Sequence, residues 1–349
     1  MFIGLSGKDI ISFGSGQPDL LPPKRVFRAF SRCRDFKYGL IQGNLNLREA
    51  LVKQYPKSTA NNFVITNGAS EALDLTLRVI SKMGSKTRKK VLLTQPYYYS
   101  YPHIIKAAGM EPVYTDLIDG RIDFNDFKKK VKDCKAVIIN SPSNPTGRVE
   151  SIETLKKIEK LTSDFGIHVL SDEVYKDLIY VRENYLIKGP HVITVNSFSK
   201  TYNMCGLRVG YFWSLDQELV DRVIEMKTHT SMNTNILAQE MAYEATKTPR
   251  SFIAQQLKIW KQRRDLIYNG LSAMGLELWM PEGAFYVLPR IKNPRVFVWD
   301  MFKKYKVITY LGEWFGANDR VRFSYALDID KIKEGLSRVK KYLKSRGQV

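Results

Sequence analysis

The chain of 349 residues contains only three cysteines and four histidines, and all seven are widely scattered. An odd number of cysteines without a Cys-x-x-Cys pair does not indicate a disulfide framework or a zinc site. No two histidines have metal-ligand spacing. We therefore expect no metal site, and we expect the cysteines to be small packing residues. The residues concerned are Cys33, Cys134 and Cys205, and His103, His168, His191 and His229.

A long apolar run is also missing. The apolar stretch at the N-terminus is interrupted by Gly4, Ser6, Gly7, Lys8 and Asp9, which makes it too short for a signal peptide or a membrane span. We therefore expect a cytoplasmic location. With 44% hydrophobic and 26% charged residues, the composition is that of a globular protein rather than a disordered or fibrous one.

Negative charge is scarce, because 55 lysines and arginines face 35 acidic residues and give a net charge of +20. Such a charge suits either nucleic acid or anionic small molecules. The basic clusters lack interleaved aromatic residues and fall mostly on predicted helices, where solvated faces explain them, so we expect no nucleic-acid partner. Binding of nucleic acid through charge alone stays open. The clusters are residues 86–90, 128–132, 261–264 and 340–346.

Short apolar runs alternate with helical patterns from Phe63 to about Asp216. Asp123 and Ser151 are predicted N-caps, and Gly166 ends the second of these helices. Continuous Val, Ile and Leu runs separated by helices are typical of parallel strands buried on both faces, so the fold class is α/β. The predicted strands are FVIT, VLLT, AVIIN, IHVLS, VITVN and RVGYFW.

The pattern changes after Asp216 to longer helices, which begin at Gln217, Asn235 and about Ser251. Strand, helix, strand and a terminal helix from Asp328 follow, which predicts a smaller α+β unit. We expect a large domain at 40–245, with a mostly parallel central sheet flanked by helices, and a small domain formed by 1–39 and 246–349. Ligands gather where strands of such sheets end, and the chemically notable residues follow predicted strands.

One of these segments, at residues 195–211, reads V-N-S-F-S-K-T-Y-N-M-C-G-L-R-V-G-Y. A serine lies three residues before the lysine, and a glycine and an arginine lie six and eight after it. The segment resembles the cofactor-lysine segment of fold-type I aminotransferases, the class I/II aspartate aminotransferase family. The resemblance implies that Lys200 forms a Schiff base with pyridoxal 5'-phosphate and later moves a proton at the substrate Cα. It also implies that Ser197 and Arg208 bind the phosphate.

Two further segments resemble the same family. S-D-E-V-Y implies that Asp172 keeps the cofactor ring nitrogen protonated and that Tyr175 binds the ring oxygen. S-P-S-N-P-T-G implies that Asn144 contacts the same oxygen and the substrate, although alone it reads equally well as a turn.

Three more segments extend the predicted site. N-G-A-S-E-A-L implies a phosphate cradle at a helix N-terminus. P-Y-Y-Y-S-Y implies that Tyr98 stacks on the cofactor ring, and F-G-S-G-Q-P-D implies that Gly16 approaches the substrate carboxylate. The cradle residues are Gly68, Ala69 and Ser70.

The remaining matches concern the substrate and a partner subunit. R-V-R-F-S-Y-A implies that Arg322, rather than Arg320, reads the substrate carboxylate. F-K-Y-G implies that Tyr38 reaches the phosphate of the neighbouring subunit, and therefore a homodimer with shared active sites. Further aromatic residues either line an apolar pocket or pack in the core: Tyr97, Tyr99, Tyr101, Phe13 and Phe285.

The resemblance predicts an aminotransferase that moves an amino group from an L-amino acid to a 2-oxo acid, such as 2-oxoglutarate, by a ping-pong mechanism. Lyases and decarboxylases use the same fold, and they stay as the alternative. A specific dicarboxylate pocket is not indicated, because residues 227–229 lack the arginine found there in one subgroup. A transcription regulator would need a DNA-binding module upstream, and the motifs already begin near Ile11.

Overall fold

The computed structural model describes residues 7, 9–34, 36–84, 87–181 and 184–348. Lys86 of the first basic cluster lies outside them. The helices are α1 Lys24–Arg32, α2 Leu45–Val52, α3 Gly68–Lys82, α4 Tyr101–Ala107, α5 Phe124–Lys130, α6 Ile152–Asp164, α7 Phe198–Thr201, α8 Gln217–Thr228, α9 Ile236–Thr246, α10 Arg250–Ser272, α11 Pro294–Tyr305 and α12 Ile329–Ser345. The strands are β1 Ile11–Ser12, β2 Phe63–Thr66, β3 Lys90–Thr94, β4 Glu111–Thr115, β5 Leu117–Ile118, β6 Arg121–Ile122, β7 Cys134–Asn140, β8 His168–Asp172, β9 Val192–Ser197, β10 Gly210–Ser214, β11 Tyr286–Val287, β12 Val307–Ile308, β13 Tyr310–Leu311 and β14 Val321–Ser324.

Seven strands form the central sheet in the order β2-β10-β9-β8-β7-β3-β4. The pairs β9–β8, β8–β7, β7–β3 and β3–β4 are parallel, which confirms the α/β fold with a mostly parallel sheet. The apolar runs are buried on both faces, as parallel strands between helices require.

Strand β10 is the exception, because it runs antiparallel to both β2 and β9. The prediction of a parallel strand at RVGYFW is therefore wrong. The connection from β9 contains only the short helix α7 and a single turn of 3₁₀-helix, so the chain re-enters the sheet at the edge it has just left. Ser197 consequently pairs with Gly210, and the residues between them stay at this edge.

Helix ends follow the predicted capping residues. The Asp123 side chain accepts hydrogen bonds from the first-turn amides of α5, and Ser151 Oγ accepts from the Thr154 amide of α6 at 3.0 Å. Gly166 has a φ of +60° just after α6, the left-handed conformation that ends helices. These caps confirm the predicted starts of α5 and α6 and the predicted end of α6.

A smaller unit combines both ends of the chain. Strand β1 pairs in parallel with β12, and β14 lies between β11 and β13. Helices α10, α11 and α12 cover these strands, and Phe13 and Phe285 are fully buried in the resulting core. The two aromatic side chains therefore pack in the core rather than line a pocket.

The division at 39–40 and 245–246 stays a prediction. Helix α1 lies before this boundary, yet Val26 and Ala29 pack with residues of β2 and α9. Among the described helices, none is both long and apolar enough to cross a membrane.

Candidate active site

A pocket of about 440 Å³ opens where β7, β8 and β9 end and where the smaller unit covers that edge of the sheet. Asn140 and Asp172 are the last residues of β7 and β8 and lie side by side in register. The pocket brings together most of the predicted site residues, namely Gly16, Ala69, Ser70, Tyr98, Asn144, Asp172, Tyr175, Ser197, Lys200, Arg208 and Arg322.

Lys200 lies on α7, directly after β9. Ser197 Oγ accepts a hydrogen bond from the Ser199 amide at 3.3 Å and so caps this short helix. The Lys200 ammonium donates a hydrogen bond to the carbonyl of Gly16, and its Nζ lies 5.9 Å from the centre of the Tyr175 ring. The lysine is thus held inside the pocket between the N-terminal segment and an aromatic wall.

Asp172 is a buried carboxylate, with only 4% of its surface exposed. Burial raises the pKa of Asp172 to about 6, against the hydrogen bond from Tyr101 and the charge of Lys200, which lower it. The Tyr101 hydroxyl donates to Asp172 Oδ2 at 2.6 Å, and the Val174 amide donates to Oδ1 at 3.2 Å. The carboxylate therefore lies fixed in a place where a nearby cation would stabilise its charged form.

Tyr175 and Tyr286 share a hydrogen bond between their hydroxyl groups, 2.7 Å apart, although they belong to different units. Burial and the neighbouring Tyr286 raise the pKa of Tyr175 well above its ordinary value, so its phenol is neutral at physiological pH. Tyr175 can therefore donate a hydrogen bond into the pocket.

Arg322 comes from β14 and is 2% exposed. Its Nη1 donates to Asn144 Oδ1 at 2.9 Å and its Nη2 donates to the Gly14 carbonyl at 2.6 Å. Within the described part of the chain, nothing accepts a hydrogen bond from its Nε, although that atom is buried. Arg320 instead pairs with Glu277 outside the pocket. Of the two arginines, Arg322 is thus the one available to a carboxylate in the pocket.

The N-terminus of α3 and the guanidinium of Arg208 form a positively charged corner of the pocket, which we call the anion corner. Arg208 has a φ of +51°, a strained conformation for a residue other than glycine, and its Nη2 donates to the Asn67 carbonyl at 3.4 Å. A Cβ on Gly68 would lie 2.5 Å from that Nη2, so glycine permits the close approach. The Asn67 side chain does not cap α3, which leaves first-turn amides available to an anion.

Tyr98 lies at the pocket wall, with its ring centre 4.7 Å from that of Tyr99 and 5.3 Å from that of Tyr101. Tyr97 lies outside the pocket lining and stacks on Tyr114 at 5.2 Å. Tyr38 is 83% exposed and does not line this pocket among the described residues. Its predicted role depends on a second subunit.

Three pocket residues escaped the sequence prediction in their present roles. Tyr101 was expected only as a possible wall residue, and it binds Asp172; Tyr286 binds Tyr175; and Asn140 donates to the Asp172 carbonyl at 3.1 Å. The one available signal was that Asn140 ends the predicted strand AVIIN, just as Asp172 directly follows IHVLS. The tyrosines reach their partners through tertiary packing, which no spacing encodes.

Comparison with known proteins agrees with this geometry. The family model for aminotransferase class I and II matches residues 8–339. A probable aspartate/prephenate aminotransferase of Aquifex aeolicus is 32% identical, over 97% of this chain and 92% of its own. An aspartate aminotransferase double mutant of Thermus thermophilus superposes with a TM-score of 0.90 and 28% identity, over 95% of this chain and 91% of its own. An aromatic aminotransferase of Pyrococcus horikoshii OT3 gives a TM-score of 0.91 with 31% identity, over 98% of each chain.

The match covers both units and the whole pocket, and the similar proteins carry aminotransferase names. The predicted reaction class, amino-group transfer, is therefore confirmed. This chain belongs to the class I and II aminotransferase family and is an aminotransferase.

Proposed function

We propose that the pocket holds pyridoxal 5'-phosphate attached to Lys200, and that the enzyme moves an amino group from an L-amino acid to a 2-oxo acid by a ping-pong mechanism. The observation that carries the proposal is the arrangement of an anion corner, a lysine and a buried carboxylate around one pocket of about 440 Å³.

The anion corner fits a phosphate. First-turn amides of α3 are not capped by Asn67, and Arg208 contributes a permanent positive charge beside them. Ser70 and Ser197 line the same pocket and offer hydroxyl donors. A doubly charged phosphate would meet a helix N-terminus, a guanidinium and two hydroxyls, which is the donor set that such a group requires.

The opposite end fits the ring of the cofactor. When bound, the cofactor supplies a carbonyl carbon that accepts the amino group and a protonated ring that withdraws electrons from the substrate Cα. Asp172 would hold the ring nitrogen protonated, since that cation would offset the burial that raises the pKa of Asp172 to about 6. Tyr175 and Asn144 would hydrogen-bond the ring oxygen, and Tyr98 would cover one ring face.

The remaining residues act on the substrate. Arg322 is already oriented by Asn144 and Gly14, and its unpartnered Nε faces no competing acceptor among the described residues. It would bind the substrate α-carboxylate, with Gly16 beside it. The Lys200 amine, freed from the cofactor by the substrate, would then move the proton at Cα. Both half-reactions use this one pocket in turn, which is the basis of the ping-pong order.

We further propose a homodimer in which Tyr38 reaches the cofactor phosphate of the partner subunit. A cluster of exposed large apolar side chains supports an interface at this face, because monomers rarely leave such a patch in water. The N-terminal segment contributes Leu21, Phe27, Phe30, Phe36, Tyr38, Leu40 and Leu45.

The acceptor that suits the pocket is a 2-oxo acid, and 2-oxoglutarate is our first candidate, since a net charge of +20 attracts a dianion. The cationic residues among those lining the pocket are Lys200, Arg208 and Arg322, and each has a role above. Binding of the second carboxylate of 2-oxoglutarate would therefore depend on hydroxyl donors or on residues of the partner subunit.

A spectrum tests the proposal directly. The purified protein with pyridoxal 5'-phosphate should show a visible absorption band, and Lys200→Ala should lose both the band and amino transfer, by at least ~100-fold. The control is the same substitution at a lysine outside the pocket lining, Lys176→Ala, which should keep the absorption band. Lys176 lies directly after Tyr175, and its Nζ pairs with Asp177 at 3.4 Å. Wild-type protein that binds no pyridoxal 5'-phosphate would refute the proposal.

Analysis of the products identifies the reaction that the enzyme catalyses. A panel of L-amino acids against several 2-oxo acids should give paired amino and keto products. Release of ammonia or CO₂ without amino transfer would instead favour a lyase or a decarboxylase, the alternative that shares this fold.

A further inference from the structure

An ion pair between a fully buried lysine and a partly buried glutamate lies beside the anion corner and has no part in the roles assigned above. Lys227 is the penultimate residue of α8, and its side chain is completely buried. Its Nζ donates hydrogen bonds to Glu71 Oε2 at 3.0 Å, to Glu71 Oε1 at 3.2 Å and to Ser231 Oγ at 2.8 Å. The three protons of the ammonium are thus all used.

Glu71 connects this ion pair to Asn67, the N-cap residue of α3. It lies in the first turn of the helix and accepts a hydrogen bond from the Asn67 amide at 2.6 Å and from Asn67 Nδ2 at 3.2 Å. The Ser231 hydroxyl also donates to it. Burial alone would raise the pKa of Glu71, but these hydrogen bonds and the charge of Lys227 bring it below its ordinary value.

This contact changes what Asn67 does. Asparagine is among the best N-caps, and its side-chain oxygen normally occupies a first-turn amide. Here the Asn67 amide group is turned towards Glu71, and its side chain makes no cap hydrogen bond. Its carbonyl meanwhile accepts a hydrogen bond from Arg208. The first-turn amides and the guanidinium are therefore both held open towards the pocket.

Stability alone is a weak explanation for this pair. A buried ion pair is often no better than well-packed apolar side chains, because the charges lose their hydration. The position of the pair is more informative, because Glu71 contacts Asn67, which borders the anion corner. We propose that Lys227 is a positioning residue, which acts through Glu71 to keep Asn67 from capping α3 and so preserves the phosphate site.

The inference rests on the proposed function, and the test separates the phosphate from the rest of the cofactor. Dissociation constants of pyridoxal 5'-phosphate and of pyridoxal, which lacks the phosphate, are measured by absorbance on the cofactor-free protein. The variant Lys227→Met removes the charge. Because it leaves Glu71 unpaired and endangers folding, Glu71→Leu combined with Lys227→Met is the main variant, with apolar groups of similar volume.

We expect the double variant to bind pyridoxal 5'-phosphate about tenfold more weakly, the scale seen when a supporting hydrogen-bond partner of a binding group is removed. Pyridoxal should bind within about twofold of wild type, and inorganic phosphate should compete with pyridoxal 5'-phosphate about tenfold more weakly than it does in the wild type. A matched control is Lys135→Met, another buried lysine, whose Nζ donates to the Ser81 carbonyl at 3.1 Å. It should leave the ratio of the two dissociation constants unchanged.

Equal weakening of both ligands in the double variant would show a general scaffold role and overturn the inference, as would unchanged binding of both. Failure of the proposed function has a different signature, because it appears in the wild-type protein as an absence of pyridoxal 5'-phosphate binding. The inference falls with it in that case.

Discussion

Replacing Asp172 with asparagine should stabilise the cofactor-free protein while impairing the enzyme. The carboxyl group is almost completely buried, and burial raises its pKa from 3.8 to about 6. Near-isosteric Asp172→Asn removes the buried charge. The new amide oxygen can still accept from the Val174 amide, and the new NH₂ group can donate to the Tyr101 hydroxyl, which reverses that hydrogen bond. The same negative charge would keep the ring nitrogen of the proposed cofactor protonated. The substitution should therefore raise the stability of the protein and lower its activity.

The size and sign of the effect follow from proton linkage. The folded protein binds this proton more tightly than the unfolded chain does, so the associated stability is present below pH 3.8 and is lost as the pH rises through about 6. A shift of about two pKa units at ~1.4 kcal/mol each gives about 3 kcal/mol at pH 8. The difference between variant and wild type should fall to about half of this at pH 5.

Calorimetry of the cofactor-free proteins at pH 5 and pH 8 measures this difference. For a chain of this length unfolding as a whole, the gain corresponds to a rise in Tm of about 4 °C at pH 8. Asp126→Asn is a control of opposite sign, since burial would raise the pKa of Asp126 but hydrogen bonds from Lys130 and a backbone amide lower it overall. It should lower Tm at pH 8. An unchanged or lower Tm for Asp172→Asn at pH 8 would refute the reasoning.

Three further variants test other parts of the site. Arg322→Lys keeps the charge but loses the forked geometry, so KM for amino donors should rise roughly 10- to 100-fold; an unchanged KM would contradict binding of the substrate carboxylate by Arg322. Tyr38→Ala and Lys200→Ala should each abolish most of the activity, and mixing the two in equal amounts should restore about a quarter of wild-type activity, because half of the dimers are heterodimers with one intact shared site; independent sites would restore none. Gly210→Ala places a Cβ 2.6 Å from the Asn196 carbonyl, so it should lower stability by about 1–3 kcal/mol and weaken cofactor binding; unchanged Tm and affinity would argue against this close packing.

Sequence reasoning succeeded where chain order determines position. Parallel strands bring their carboxyl ends to one edge of a sheet, so residues that follow predicted strands, such as Asp172 and Lys200, could be expected near each other. Local capping chemistry was equally readable, as Asp123 and Ser151 demonstrate. Both kinds of inference depend on residues that are close in sequence or on a general property of the fold.

The contacts that complete the site could not be derived in this way. Tyr175 and Tyr286 are separated by 111 residues, and Glu71 and Lys227 by 156, so their pairing depends on how whole elements pack. The direction of β10 depends on the geometry of its short connection, because an apolar run reads the same in either direction. A buried lysine also looks like a surface lysine in a sequence, since nothing local records its partner.

Two carboxylates of this protein, one partly buried and one almost completely buried, differ in where their counter-charge comes from. Glu71 has an internal partner in Lys227, and its pKa is lowered, whereas the pKa of Asp172 is raised despite a hydrogen bond from Tyr101. In our proposal, the internal pair keeps the anion corner formed before any ligand binds. The unbalanced carboxylate instead destabilises the cofactor-free protein, and a cationic ring would relieve that strain only when bound. Cofactor binding would therefore stabilise this fold by more at pH 8 than at pH 5, since the folded cofactor-free state carries the charge only above about pH 6.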